Sequence, residues 1–323
     1  MEIQIGYSLS SEEAQPKELV RYAQQAEDAG FRFAVISDHF HPWISRQGQS
    51  PFVWSVIGAI AQACRHLVIG TGVTCPILRI HPTLVAQAAA TAMLMLEGRF
   101  FLGVGTGENL NEHIVGQHWP PLPIRRDMLA EAISILRLLW RGGMRSHNGR
   151  YFTVQDAQIF SLPKSPPPIM IAAASSSAAE FAGSMGDGLI STAPQENIVQ
   201  KFRGSDDGAH KPCFGQMTVC WAKSRDEAKR VACEWWPVSA VPGKLMSSLS
   251  TPAEFESVAE LITADAVAAN MVIGPDPEPY LERIRLYGKA GFDHIYIHQV
   301  GPDQDGFFKF CTRNILPNVH LEG

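Results

Sequence analysis

The sequence has few of the features that mark secreted, membrane-spanning or nucleic-acid-binding proteins. Its six cysteines are scattered over 323 residues and form no CxxC pair, which gives no support to a zinc knuckle or a disulfide framework. No apolar run reaches the ~18 residues of a membrane helix, and no signal peptide follows Met1. The 27 Lys and Arg against 32 Asp and Glu give a net charge of −5, without the basic surface that nucleic acid needs. We therefore expect a cytoplasmic protein with no nucleic-acid or membrane partner.

What the sequence does have is a repeated alternation of short apolar runs with amphipathic segments. Hydrophobic residues make up 46% of the chain, enough for a large core. Strands are predicted at 3–7, 33–37, 67–72, 100–105, 168–173, 188–191, 216–222, 270–273 and 294–298. About eight strand–helix units indicate an α/β fold, a TIM-type (β/α)8 barrel formed by one domain over 1–323. An open doubly wound sheet is the alternative.

Two stretches interrupt the alternation and are predicted to be insertions. Residues 145–168 contain the sequence RYFTVQDAQIFSLPKSPPP, which indicates a hairpin from residue 150 and a proline-rich return. Residues 237–265 are predicted to be long and irregular. Such insertions often extend the loops that follow barrel strands, where barrel active sites lie.

The first segment with chemical potential, SDHFHPW at 37–43, directly follows the second strand. It contains Asp38, His39, His41 and Trp43. An imidazole can take or give a proton near neutral pH, which suits general acid–base catalysis. Asp38, His39 and His41 could instead bind a metal in a barrel hydrolase, or form a cap and surface before a turn. No second convincing set of ligands follows later strands, so we predict no metal.

Three further segments follow later strands: GTGVTCP at 70–76, GVGTGENLNE at 103–112 and AAASSS at 172–177. Glycines allow backbone to approach a ligand closely, and the N–H groups at a helix start can hold an anion. Glu108, beside such a start, is a candidate acid; it would also interact favourably with the helix dipole. Each of these segments alone is also typical of an ordinary turn before a helix.

In this order, SDHFHPW, GTGVTCPILRIHP, RFFLGVGTGENLNE and AGSMGDGLIST resemble the luciferase-like flavin and deazaflavin oxidoreductases. The resemblance is closest to the branch of coenzyme F420-dependent glucose-6-phosphate dehydrogenases and secondary alcohol dehydrogenases. It runs from residue 3 to about 315 and is weak over 195–265. It implies a homodimeric TIM-type barrel that binds coenzyme F420 at the carboxyl ends of its strands.

The resemblance also implies which residues hold the cofactor. A non-proline cis bond between Gly72 and Val73 would lie behind the deazaflavin ring. The remaining cofactor contacts would come from Asp38, Cys75, Thr106, Gly107, Glu108, Asn111, Ala174 and Ser175. The last two stand where the family usually has glycines near the cofactor phosphate.

The resemblance assigns catalytic roles to three residues. His39 would remove the hydroxyl proton of an alcohol while hydride passes to C5 of the deazaflavin. Glu108 would donate a proton to N1 of the ring, and Trp43 would pack on the reacting substrate. A deazaflavin supplies the hydride chemistry that these side chains cannot perform.

The substrate is expected to contact Glu12, Thr192, Gln195, Lys244 and Asn270. Gln195 and Asn270 stand where the sugar-phosphate members have cations, and a phosphate binds poorly without Lys or Arg. We therefore favour a neutral alcohol or its carbonyl or unsaturated counterpart, with the direction open. The alternatives are an F420-dependent sugar-phosphate dehydrogenase, an FMN-dependent luciferase-like monooxygenase and, outside this class, a metal-dependent barrel hydrolase.

Overall fold

A computed structural model describes residues 3–205 and 208–319. At its centre, eight parallel strands form a closed barrel. These strands are β1 (Gln4–Leu9), β2 (Phe33–Ile36), β3 (Val68–Thr71), β4 (Phe100–Val104), β7 (Ile169–Ala172), β8 (Gly188–Ser191), β9 (Cys213–Cys220) and β11 (His294–Gln299). The barrel closes where Gln4 of β1 lies opposite His294 of β11. The prediction of a TIM-type barrel is confirmed, and the open-sheet alternative is wrong.

The helices surround the barrel and begin and end at residues that favour those positions. The first, for example, has Pro16 in its first turn and ends at Gly30, whose φ of 96° suits glycine. In chain order the helices are α1 (Pro16–Ala29), α2 (Val53–Ala63), α3 (Pro82–Met95), α4 (Asn109–Glu112), α5 (Leu122–Trp140), α6 (Ser176–Met185), α7 (Glu196–Arg203), α8 (Arg225–Trp235), α9 (Gly243–Met246), α10 (Pro252–Ala259), α11 (Ala264–Ala269), α12 (Glu278–Lys289) and α13 (Gln304–Phe310). No helix within the described ranges has the length and apolar composition to cross a membrane.

The predicted strand at 270–273 is shorter than expected and does not belong to the barrel wall. Only β10 (Val272–Ile273) is extended, and it pairs with Val219 and Cys220 at the end of β9. The reason is the length of β9. Its first residues pair with the short strand β8, while β11 takes the opposite edge, so the last residues of β9 are left for β10.

Both predicted insertions have regular structure. The hairpin consists of β5 (Arg145–Asn148) and β6 (Thr153–Ala157), so it begins before the predicted residue 150. Residues 237–265 are helical rather than irregular: a short 3-10 turn and helices α9 and α10 are followed by the start of α11. Thr251 and Glu254 form a capping box at the start of α10.

The barrel interior explains which side chains reach the active-site end. It is filled by Phe33, Val35, Phe101, Met170, Ile190, Phe214 and Tyr296. Side chains alternate along a strand, so the residues two positions beyond Val35 and Tyr296 also point inward. These residues are Ser37 and His298. Both therefore lie at the mouth formed by the carboxyl ends of the strands, where barrel enzymes carry their active sites.

Candidate active site

A buried carboxylate–imidazole pair occupies the mouth of the barrel. His39 Nε2 lies 3.3 Å from Glu12 Oε1, and His39 Nδ1 lies 3.2 Å from the carbonyl oxygen of His41. Burial alone raises the pKa of Glu12, but the facing His39 and a hydrogen bond from the Ser37 hydroxyl outweigh it and leave this pKa lowered. Oxygen acceptors beside both ring nitrogens stabilise the imidazolium that His39 forms when it accepts a proton.

Trp43 joins this pair to the insertion. Its ring lies edge-on to His39, with centroids 4.8 Å apart, and edge-on to Phe255 of α10 at 5.3 Å. Trp43 is buried in an apolar cluster whose other members include Leu110, Val238, Val241 and Phe255. The helices of the insertion therefore cover the imidazole with an apolar wall, which keeps water from the proton-transfer site.

Asp38 lies behind this pair in an ionic network. Its carboxylate accepts hydrogen bonds from Thr74 Oγ1 at 2.7 Å and from Arg79 Nη2 at 2.8 Å. Arg79 in turn lies 3.6 Å from Glu112 through Nε, and its backbone N–H donates to Glu112 Oε2. All three ionic side chains are buried, so both carboxylates depend on the charge of Arg79 for their compensation.

Glu112 is the unusual member of this network. Burial, with help from the nearby charges of Glu108 and Asp38, raises its pKa from 4.5 to about 7, although Arg79 acts in the opposite direction. Glu112 Oε1 and Arg79 Nε are both buried without a hydrogen-bond partner. The network therefore holds a carboxyl that exchanges its proton near neutral pH.

This raised pKa predicts that Glu112 makes folding less favourable as pH rises. Below about pH 4.5 the carboxyl is protonated in both the folded and the unfolded protein. Between about pH 4.5 and 7 only the unfolded chain ionises it freely, so the free energy of unfolding falls. Above pH 7 this fall is complete. Glu112→Gln has no ionisable carboxyl and so lacks this pH dependence. We expect the difference in free energy of unfolding, variant minus wild type, to increase by about 2–3 kcal/mol between pH 5 and pH 8. Urea unfolding of the wild type and the variant at both pH values measures this difference, and Glu260→Gln, at an exposed position, is the control. The same difference between variant and wild type at pH 5 and at pH 8 would contradict the prediction.

The glycine-rich turn after β4 presents bare backbone to the mouth of the barrel. A Cβ at Gly105 would lie 2.7 Å from Val73 Cγ2, and one at Gly107, whose φ is +71°, would lie 2.5 Å from Cys75 Sγ. Arg125 holds the turn from below by donating to the carbonyl oxygens of Thr106 and Gly107, both at 3.0 Å. The close packing against Val73 and Cys75 leaves room only for glycine at both positions.

The predicted cofactor residues around this turn differ in their surroundings. The Gly72–Val73 bond is cis, as the resemblance implies. Cys75 is buried beneath Gly107, and burial raises the pKa of its thiol well above the usual value, so the thiol stays protonated. Thr106 is half-buried. Thr74 pairs with Val104, so the segments that follow β3 and β4 lie side by side.

Asn111 positions Glu108 and the loop after β2. Its Oδ1 accepts the backbone N–H groups of Phe40 at 2.9 Å and His41 at 3.2 Å, and its Nδ2 lies 3.5 Å from Glu108 Oε2. Glu108 is half-buried and precedes α4, with its carboxylate free of any capping bond. The structure therefore brings the candidate acid Glu108 beside the loop that carries His39.

The start of α6 offers a site for a phosphate. Ser175 caps the helix by accepting from Ala178 N–H at 3.3 Å, and Ala174 and Ser175 are both exposed. Arg126 Nη2 lies 3.3 Å from Ser177 Oγ at the same helix start. This arginine was not predicted from the sequence; it places a cation where the helix dipole also favours an anion. The donors therefore fit a phosphate-bearing cofactor.

The predicted substrate residues are less closely grouped. Glu12 lies in the mouth. Thr192 and Gln195 are exposed around the start of α7, and Lys244 is exposed on α9. Asn270 lies at the end of α11, where its amide donates to the carbonyl oxygen of Ala266. The loop after α9 is held against the glycine-rich turn, because Asn109 Nδ2 donates to the carbonyl oxygen of Ser248 at 2.9 Å.

The structure also contains a second carboxylate–imidazole pair that the sequence analysis did not predict. His298 Nε2 lies 3.1 Å from Glu13 Oε2, and both side chains are buried. Glu13 Oε1 accepts the backbone N–H of Gly301. The signal available in the sequence was weak: Glu13 adjoins the predicted Glu12, and His298 lies near the end of the last predicted strand.

The three residues that could bind a metal in the barrel-hydrolase alternative each contact a different partner. Asp38 binds Arg79, His39 faces Glu12, and His41 Nδ1 lies 2.9 Å from the carbonyl oxygen of Leu110. Among residues 3–205 and 208–319, no group of three or more His, Cys, Asp or Glu side chains is placed to hold a metal ion.

Comparison with known proteins agrees with this geometry. The luciferase-like monooxygenase family matches residues 2–294. F420-dependent glucose-6-phosphate dehydrogenases of Microbacterium testaceum and Kribbella flavida are each 33% identical, over 98% and 100% of this chain and 97% and 100% of theirs. The solved structure of an F420-dependent secondary alcohol dehydrogenase with an F420-acetone adduct is 30% identical, with a TM-score of 0.91, over 99% of this chain and 100% of that one. The chain therefore belongs to the luciferase-like family.

Proposed function

We propose that the chain is a coenzyme F420-dependent oxidoreductase that interconverts a neutral alcohol and its carbonyl counterpart. The observation that carries the proposal is the buried Glu12–His39 pair beneath Trp43, beside the bare backbone of the glycine-rich turn. The relatives named F420-dependent dehydrogenases support the choice of cofactor. Carbonyl reduction, or reduction of an activated double bond, would use the same groups in reverse.

In the proposed complex, bound F420 supplies a carbon that accepts hydride from the substrate. The backbone of Gly105 to Gly107, the Gly72–Val73 bond and Asp38 would hold its ring. Asn111 and Cys75 would contact the same ring, while Ala174 and Ser175, with Arg126, would hold its phosphate.

This chain's own contribution to the reaction is proton handling and exclusion of water. His39 takes the hydroxyl proton, and the ionised Glu12 beside it stabilises the resulting imidazolium. Glu108, oriented by Asn111, holds the second proton on the cofactor side. Trp43 and the insertion shield the imidazole from water, which strengthens its interaction with Glu12.

The substrate class follows from the charges that line the proposed site. Gln195 and Asn270 are uncharged, and Lys244 is exposed on α9 rather than buried beside Glu12. The apolar cluster around Trp43 favours an uncharged substrate, since a phosphate dianion there would need cationic partners. The sugar-phosphate alternative has a specific observation in its favour, the names of the two sequence relatives.

A titration and a substrate screen test the proposal. We expect F420 to bind and FMN to bind far more weakly. A neutral secondary alcohol should bleach the visible absorbance of F420, with kcat/KM at least about 100-fold above that for glucose 6-phosphate, because an unpaired phosphate costs several kcal/mol to bury. Tight FMN binding with oxygen consumption would favour the monooxygenase instead, and preference for the sugar phosphate would overturn the substrate class.

We further propose that the protein is cytoplasmic and that it forms a homodimer. The support for the homodimer is an apolar surface on neighbouring helices, where Phe52 beside α2 and Leu84, Leu94 and Met95 of α3 are exposed. α2 and α3 pack against each other, so these side chains belong to one region of the molecule. A second copy of the chain is the occupant we propose for it.

A further inference from the structure

The second carboxylate–imidazole pair lies in the same mouth as the first. His298 is two residues beyond the inward-facing Tyr296 on β11, so its side chain also points into the barrel. Its partner Glu13 directly follows Glu12, the partner of His39. His39 and His298 therefore both lie at the mouth of the barrel, His39 in the loop after β2 and His298 near the end of β11.

The two nitrogens of His298 have different surroundings. Nε2 lies 3.1 Å from Glu13 Oε2, so it carries the proton that is donated to this carboxylate. Only 3% of the side chain is exposed, and the buried Nδ1 has no hydrogen-bond partner. In the neutral ring Nδ1 is a hydrogen-bond acceptor. A buried acceptor without a donor is unfavourable unless a ligand supplies the donor.

The apolar wall closes the other side of His298. The ring of Trp236 lies edge-on to it, with centroids 4.4 Å apart. Trp236 also packs against the apolar cluster that contains Trp43 and Phe255. The apolar wall thus places Trp43 beside His39 and Trp236 beside His298.

We propose that His298 is a specificity-determining residue whose Nδ1 accepts a hydrogen bond from a second hydroxyl of the substrate. Resting on the proposed function, this narrows the substrate class to neutral alcohols that carry another hydroxyl near the reacting carbinol. Glu13 positions the ring and sets its tautomer, as a carboxylate does for many functional histidines. A site built to bind a hydroxyl discriminates against the analogue that lacks it.

Matched substrates and variants test this assignment. The substrates are sec-butanol and butanediols whose second hydroxyl lies one or two carbons from the carbinol. His298→Gln keeps an amide N–H for Glu13 and lacks the Nδ1 acceptor, whereas His298→Asn places an amide oxygen near the Nδ1 position. We expect the wild type to prefer the better diol by about 10- to 100-fold in kcat/KM. His298→Gln should lose that preference, and His298→Asn should retain part of it.

His294→Phe is the control, because His294 points inward on the same strand but stacks on Phe214, deeper in the barrel. It should leave the diol preference unchanged. A second readout needs no turnover: calorimetric affinity for the diol should fall about 10-fold or more in His298→Gln, with or without F420. An unchanged preference and affinity in folded His298→Gln, or a wild type that does not distinguish diol from sec-butanol, would overturn the assignment. Diol binding through His298 without any bleaching of F420 would instead contradict only the proposed function.

Discussion

His39→Ala is expected to lower turnover by about 10²–10⁴-fold while F420 affinity stays within a few-fold of the wild type. The substitution removes the imidazole that faces Glu12 and leaves the glycine-rich turn and the start of α6 in place. Proton removal then has no positioned base, whereas the surfaces proposed to hold the cofactor are unchanged. Steady-state rates and F420 titration of the same preparation measure the two effects separately.

Two variants make this result specific to the base. His118→Ala changes an exposed histidine and should leave turnover unchanged. Glu12→Gln keeps the shape of the partner of His39 but removes the charge that stabilises the imidazolium, so turnover should fall by a smaller factor. If His39→Ala retained wild-type turnover, the assignment of the base would be wrong.

Arg79→Met is expected to have the largest effect on stability, about 3–5 kcal/mol in the free energy of unfolding at pH 8. Arg79 supplies the positive charge between the buried Asp38 and Glu112. Without it, Asp38 keeps only the Thr74 hydroxyl as a side-chain donor within the described ranges, and Glu112 loses a positive charge that lowers its pKa, so a negative charge on either carboxyl is less stable at pH 8. Urea unfolding of the wild type and variant measures the loss.

The pH dependence separates this ionic role from lost packing. Below about pH 7 Glu112 takes up a proton, so the penalty of Arg79→Met should be smaller at pH 5.5 than at pH 8. Arg79→Lys keeps a charge and should recover part of the stability, and Arg32→Met, at an exposed position, should change it little. A loss of equal size at both pH values would show that Arg79 acts mainly through packing.

The barrel could be predicted from the sequence because its strands are short runs buried on both faces. In β2 all four residues, Phe33–Ile36, are buried, and the same holds for β4 and β8. The motif that begins after β2 was predicted to carry the chemistry because barrel active sites lie at the carboxyl ends of the strands. The structure brings Asp38, His39 and Trp43 into the mouth at that end.

The parts that could not be predicted depend on contacts between distant residues. Glu13 and His298 are 285 positions apart, so nothing in either local sequence indicates the pair. The helices of 237–265 are short and begin at caps such as Thr251, and their apolar side chains pack against residues far away in the sequence, such as Trp43 and Leu110. For β10, the deciding factor was the length of β9, whose last residues extend beyond its pairing with β8, and periodicity does not reveal this.

The most direct test of the central claim follows the hydrogen of the carbinol carbon. The protein is incubated with F420 and the best alcohol of the screen, deuterated at that carbon. We predict loss of the visible absorbance of F420, one deuterium per reduced cofactor recovered by mass spectrometry, and a slower reaction than with the undeuterated alcohol. Reduced cofactor without deuterium, or unchanged absorbance in a protein that binds F420, would contradict the account.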